Sequence, residues 1–132
     1  MSVQNERAEI VLRLDTTAAA ADALAHHRLG LPGTWRIESA YLMPDIAVAA
    51  HASNGSTLAL QTGANKAGLA TRASHNTLTG GDGALSEGVP VSLTPATTVE
   101  VDQGELLALS KVDAASGQAF RGSIAVTLLR VA

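Results

Sequence analysis

The chain has 132 residues, a formal net charge of −3 and no cysteine. Its length suits one domain that buries roughly two-thirds of its unfolded surface. The missing thiols exclude disulfide and thiolate chemistry, and the nine scattered Lys and Arg leave no basic footprint for nucleic acid. Trp35, Tyr41 and Phe120 are the only aromatic residues, too few for a stacking platform, so Ala, Val, Leu and 12 Gly point to a light, closely packed β core.

In chain order, residues 1–7 read as a loose polar arm ahead of a single domain over residues 8–132. MSVQNERAEIV is polar where a secretory signal would be apolar, and no apolar run approaches the ~20 residues of a membrane span. A soluble protein made in the cytoplasm, without membrane contact, is expected. Ile10, Leu12 and Leu14 alternate with Val11 and Arg13 in a first strand at Glu9–Leu14. Thr16–Ala25 reads two ways. Ala18–Ala25 favours a helix capped by Thr17, whereas Leu29 and Leu31 alternate with Arg28 and Gly30 up to a Pro32-Gly33 turn. The reading adopted is a connection over Thr16–Asp22 and a strand over Leu24–Leu31. Thr34–Met43 is the plainest strand of the first half, with Trp35, Ile37, Ser39 and Tyr41 on one face and Pro44 as its stop. Asp45–Ser53 is an Ala-rich loop or short strand, Asn54-Gly55 a turn, and Ser56–Thr62 a strand around Leu58 and Leu60.

Gly63–Gly88 is polar and Gly-rich, with GGDG at Gly80–Gly83, and reads as an exposed excursion carrying one short strand near Gly68–Ala73. Val89, Val91 and Leu93 form the next strand, ended by Pro95. Val99 and Val101 then alternate with Glu100 and Asp102, Gln103-Gly104 turns the chain, and Leu107 and Leu109 restart the alternation. That is a β-hairpin signal, with strands at Thr97–Val101 and Glu105–Val112 and a tight turn at Asp102–Glu105. Asp113–Gln118 is a loop, and Gly122–Val131 closes the chain with Ile124, Val126 and Leu128 on one face. About eight short strands at this spacing define an all-β fold, an antiparallel and jelly-roll-like β-sandwich.

The residues able to carry chemistry read as structural. His26 and His27 are adjacent on one strand and point to opposite faces, and they do not form a convergent zinc set with His51 and His75. Asp15, Asp45, Asp82 and Asp102 lie in or near turns and suit Asx hydrogen bonds, and GGDG lacks the ligand spacing of a calcium loop. No GxSxG elbow, GxGxxG or P-loop occurs. Asn54-Gly55-Ser56 matches a glycosylation sequon but reads as a hairpin turn. Trp35 and Tyr41 are expected to pack in the core, the alternative being an exposed pair in a glycan or protein site. Phe120, next to Arg121, is the better candidate for an exposed anchor. No catalytic residue, metal ligand or cofactor is expected, and no enzyme activity.

From Trp35 onward the chain resembles a family of small capsid decoration (cement) proteins of tailed bacteriophages, especially phages of actinobacteria. The resemblance rests on AYLMPD at Ala40–Asp45, IAVAAHASNGSTLAL at Ile46–Leu60, VEVDQGELLAL at Val99–Leu109 and SIAVTLLR at Ser123–Arg130, in that order. It covers about three-quarters of the chain and implies a non-enzymatic virion protein. Such a protein binds the major capsid protein on the outside of an assembled head and stabilises it, as a homo-oligomer with a trimer favoured, after synthesis in the host cytoplasm. Residues 1–7 and Gly63–Gly88 are the segments expected to touch the shell or a neighbouring protomer. A glycan- or receptor-binding module of a head fibre or surface lectin is the alternative, and a cupin-like binder or enzyme using the histidines comes third.

Overall fold

Apolar residues recur at every second position through most of the chain, and backbone in that pattern forms half-buried strands. The computed structural model describes residues 6–16 and 22–132. Among these the strands are β1 (Arg7–Thr16), β2 (Ala23–Arg28), β3 (Thr34–Pro44), β4 (Ser56–Gly63), β5 (Ala70–Asn76), β6 (Val91–Ser92), β7 (Glu100–Asp102), β8 (Leu106–Asp113) and β9 (Phe120–Arg130), with one 3-10 turn at Lys66–Gly68. All strand pairings are antiparallel. One sheet runs β1-β9-β3-β6, with β7 also on β3, and the other runs β2-β8-β4-β5. Taking β6 and β7 as two pieces of one broken strand, this is the order of a jelly roll, two Greek keys wound about one core. The expected antiparallel sandwich is therefore the fold.

The core lies between the sheets. Leu12, Leu14, Trp35, Ile37, Leu42, Ile124, Val126 and Leu128 come from one side and meet Leu58, Leu60, Leu107 and Leu109 from the other. Each such buried side chain stabilises the fold by about 1.5–3 kcal/mol relative to exposure. Flanking the sheets, the bridges Val48–Leu85 and His51–Leu78 join the segment after β3 to the segment after β5.

Several local expectations are corrected. The segment read as a hairpin does turn tightly: Glu105 N–H donates to the Asp102 carbonyl at 3.0 Å, and Gly104 takes φ +90°. Yet β7 pairs with β3 while β8 pairs with β2 and β4, so the turn carries the chain from one sheet to the other. The segment before β3 occupies the hydrogen bonds a hairpin would have used: Leu29 N–H donates to the Glu105 carbonyl and Gly104 N–H to the Leu29 carbonyl. Val99, Val101, Leu107 and Leu109 are all core residues, as expected, but face one another from opposite sheets.

In β3 the single face drawn through Trp35, Ile37, Ser39 and Tyr41 breaks. The register against β9 shifts between Ile37 and Ser39, leaving Glu38 as the extra residue of a bulge. Trp35 and Ile37 point inward before the bulge, and Ala40 and Leu42 after it, so Tyr41 emerges 48% exposed. Pro44 stays within the strand, opposite Gly122.

Phe120 is 1% exposed and belongs to the core, because Phe120 and Gly122 share the inward parity of Ile124 and Val126. Gly63–Gly88 is not a free excursion, since β5 pairs along β4 and His75, Thr77 and Leu85 are buried. Asn54-Gly55 leads into β4 and makes no hairpin, as β3 and β4 lie in different sheets. The strand expected over Leu24–Leu31 is Ala23–Arg28, and that over Val89–Leu93 shortens to Val91–Ser92. Ala23–Ala25 is extended, and residues 17–21 of the ambiguous stretch lie outside the described residues, as do residues 1–5 of the expected arm. The end of that arm is bonded to the sheet: Glu6 pairs with Arg130 and Arg7 with Glu38.

Candidate functional site

On the outer face of the five-stranded sheet a row of side chains crosses four neighbouring strands. Register places Val11 of β1 opposite Ala125 of β9, Ala125 opposite Tyr41 of β3, and Tyr41 opposite Ser92 of β6. The adjoining rows are Glu9–Thr127–Ser39 and Arg13–Ser123–Met43. Core-facing residues occupy the alternate positions, so these rows face away from the interior. Val11 is 57%, Tyr41 48% and Met43 37% exposed, which sets an apolar stripe across a polar sheet face.

Ion pairs frame the stripe. Arg13 Nε lies 3.0 Å from Asp15, and its Nη2 reaches Asp45. Arg7 bonds both carboxylate oxygens of Glu38, at 3.0 and 3.1 Å. These bonds raise both guanidinium pKa values above the ordinary arginine value, Arg7 through Glu38 and Arg13 through Asp45 and then Asp15. The Arg7 hydrogen bond holds the Glu38 carboxyl below the usual glutamate value. Exposed pairs of this kind add little stability; they fix the orientation of long side chains around the stripe.

A polar cluster lies buried at one end of the sandwich. Lys111 continues the inward parity of Leu107 and Leu109, is fully buried, and sets its ammonium 2.7 Å from Asp113 Oδ1. The Ser56 hydroxyl donates to the same oxygen at 2.7 Å, and Ser56 Oγ accepts the Gln118 N–H at 3.0 Å. Thr77 Oγ1 accepts the Ser56 N–H at 2.9 Å and its hydroxyl donates to Gln118 Oε1, while the Gln118 amide donates to the Ala49 carbonyl. A lysine, an aspartate and a serine in contact resemble a nucleophile set. Here the Ser56 proton is committed to Asp113, its oxygen to Gln118, and the residue is 1% exposed. The cluster ties the loops after β3, β5 and β8 to the sheet end. Sequence reasoning passed over it, although a lysine at a core-facing position of LLALSKVD was the available signal.

The other candidate residues are dispersed. His26 and His27 are exposed on β2. His51 Nδ1 accepts the N–H groups of Ser53 and Asn54, and His75 Nε2 donates to the Gly83 carbonyl at 2.9 Å. Among the described residues no three His, Asp or Glu converge on a metal position. Asp82 in GGDG accepts the Asn76 N–H, and Asp102 accepts the Thr34 hydroxyl at 2.6 Å. Asp15 lies within β1 and its carboxylate meets Arg13, in place of the expected turn bond.

No known family model matches the chain, and no curated protein sequence does. Among solved structures, the crystal structure of a CocE/NonD family hydrolase from Staphylococcus aureus is similar over 96% of this chain and 37% of its own length, with 10% identity and a TM-score of 0.38.

Proposed function

We propose that the protein is a capsid decoration protein of a tailed phage, which binds the major capsid protein on the outside of an assembled head and reinforces it by contact alone. The observation that carries this reading is the placement of the four motifs of the resemblance. AYLMPD closes β3 beyond the bulge, SNGSTLAL enters β4, VEVDQGELLAL runs through the inter-sheet turn, and SIAVTLLR lies in β9. They are framework segments of one jelly roll, an architecture that recurs in viral capsid domains. The fold alone does not decide function, since lectins and cupins share it. The contact surface is placed on the sheet face around Val11, Tyr41 and Met43, an apolar stripe rimmed by arginines, the composition that interface centres favour.

A ligand that binds the shell and not its free subunits stabilises the shell by mass action, about 2.7 kcal/mol per site at a hundredfold excess over Kd. Purified protein added to undecorated heads is therefore expected to co-sediment saturably and to raise the temperature at which the heads break. Tyr41→Ala should lower occupancy without unfolding the protein. Absence of co-sedimentation with heads, or equal binding to unassembled capsid protein, overturns the reading. The exposed Tyr41 also favours the lectin-like alternative, and saturable binding on a glycan array that Tyr41→Ala abolishes would put that reading first.

A further inference from the structure

Among the described residues β1 has a strand partner on one side only, β9. The other edge strands among the described residues, β2, β5, β6 and β7, are all shorter, so the longest open edge belongs to the ten residues of β1. Its hydrogen-bonding phase is set at one end, where Arg130 N–H donates to the Glu6 carbonyl at 2.9 Å. The register from Arg7–Leu129 to Thr16–Phe120 is unbroken. Bonding in an antiparallel ladder alternates, so the even-numbered residues bond to β9. Arg7, Glu9, Val11, Arg13 and Asp15 then turn their N–H and C=O groups toward the open edge. An edge of this kind is a template for another strand.

The same five residues carry their side chains on the outer sheet face, and their charges run positive, negative, neutral, positive, negative. The sequence of charges inverts through Val11: Arg7 is answered by Asp15, and Glu9 by Arg13. We propose that a second copy of this chain adds to this edge, antiparallel, about a twofold axis at Val11. In that register Arg7 faces the partner's Asp15 and Glu9 faces the partner's Arg13, each pair occurring twice, with Val11 against the partner's Val11. On the inner face Ile10 faces the partner's Leu12 and Ala8 the partner's Leu14, which covers the half-buried Ala8 and Ile10.

Neighbouring registers fail. A slip by two residues one way sets Glu9 against the partner's Asp15, and the other way sets Arg7 against the partner's Arg13, and like charges directly opposite are destabilising. A slip by one residue puts the apolar residues of one copy on the polar face of the other. The pairs already formed with Glu38, Asp45 and Asp15 are compatible with this contact, because a guanidinium offers five donors and the Asp15 carboxylate has a second oxygen. Glu9 makes no ion pair among the described residues. The contact is isologous, and it makes the self-association a pair in place of the trimer that the resemblance implies. It is independent of the capsid reading, because it is tested without a shell.

Sedimentation velocity of the full chain over a wide concentration range is expected to give a dimer that weakens as salt is raised. In the dimer the amides of Glu9, Val11 and Arg13 should exchange slowly, and on dilution they should become fast while those of Ile10 and Leu12 stay protected. Glu9→Arg with Asp15→Arg makes the edge uniformly basic and should weaken dimerisation by about tenfold or more. Arg7→Glu with Arg13→Glu makes it uniformly acidic, and an equimolar mixture of the two variants should form heterodimers. Buried Trp35 reports by its emission whether each variant is folded. A wild-type monomer at every concentration, a trimer, or a dimer in which the Glu9, Val11 and Arg13 amides exchange fast overturns the proposal. The amide measurement needs only the wild-type chain, so it decides the matter even where a variant fails to fold.

Discussion

Asp113 accepts the Lys111 ammonium and the Ser56 hydroxyl through one oxygen, and its backbone N–H donates to Asp22. The carboxylate fits because residue 117 is a glycine. Gly117 takes φ +60°, and a Cβ there would collide with the Asp113 side chain, so Gly117→Ala would combine backbone strain with displacement of the carboxylate. Removing one member of a buried ion pair typically costs about 3–5 kcal/mol. Asp113→Ala is therefore expected to lower the unfolding free energy by about that amount, read from the denaturant midpoint at constant slope. Arg13→Ala, which removes the exposed pairs to Asp15 and Asp45, should leave the midpoint almost unchanged. A lysine inside a sandwich therefore belongs to the fold's polar ties, and its effect on stability should exceed that of the visible surface pairs.

Tyr41 and Leu42 are neighbours in β3, and the Glu38 bulge decides which of them enters the core. Leu42 is fully buried and Tyr41 is not. Leu42→Ala is expected to cost about 2–5 kcal/mol, and Tyr41→Ala to stay within about 0.5 kcal/mol, both read by urea unfolding followed through Trp35 fluorescence. Unbroken alternation from Trp35 would give the opposite ranking, so the pair tests the bulge directly. The bulge was not legible in the sequence because Glu38 and Ser39 are both polar, and either can be the extra residue without breaking the pattern on the apolar side. The inter-sheet turn at Gln103-Gly104 was hidden for a related reason. Alternation tells which side chains face the core, and Val99, Val101, Leu107 and Leu109 satisfy it equally in a hairpin or in strands of facing sheets. Leu29, whose carbonyl takes the Gly104 N–H, lies far away in sequence, and pairing with a distant segment leaves no local mark. Phe120 was misplaced for want of the register against β1 and β3, which sets its parity with Ile124.

The strands, their inward faces and the all-β class follow from local pattern, whereas the outer-face stripe emerges only when β1, β9 and β3 lie side by side, because Val11, Ala125 and Tyr41 are distant in the chain. Among the described residues the same assembly leaves the β1 edge open, and that edge ties stability to association. β1 contributes Leu12 and Leu14 to the core, and β9, which it pairs with, lies between β1 and β3 in the sheet. Loss of β1 would thus expose the interior, and unfolding should be a single cooperative transition. A partner that binds only the folded edge raises the unfolding free energy by mass action, so the melting temperature should climb by several degrees as concentration rises well above the dimer dissociation constant. The Glu9→Arg, Asp15→Arg variant should begin that climb only at concentrations about tenfold or more higher, and at high dilution the wild-type curve should level off. A melting temperature that ignores concentration in the wild type, measured by scanning calorimetry, would mean that the open edge of β1 stays unpaired in solution and that the inversion of charge about Val11 has no bearing on assembly.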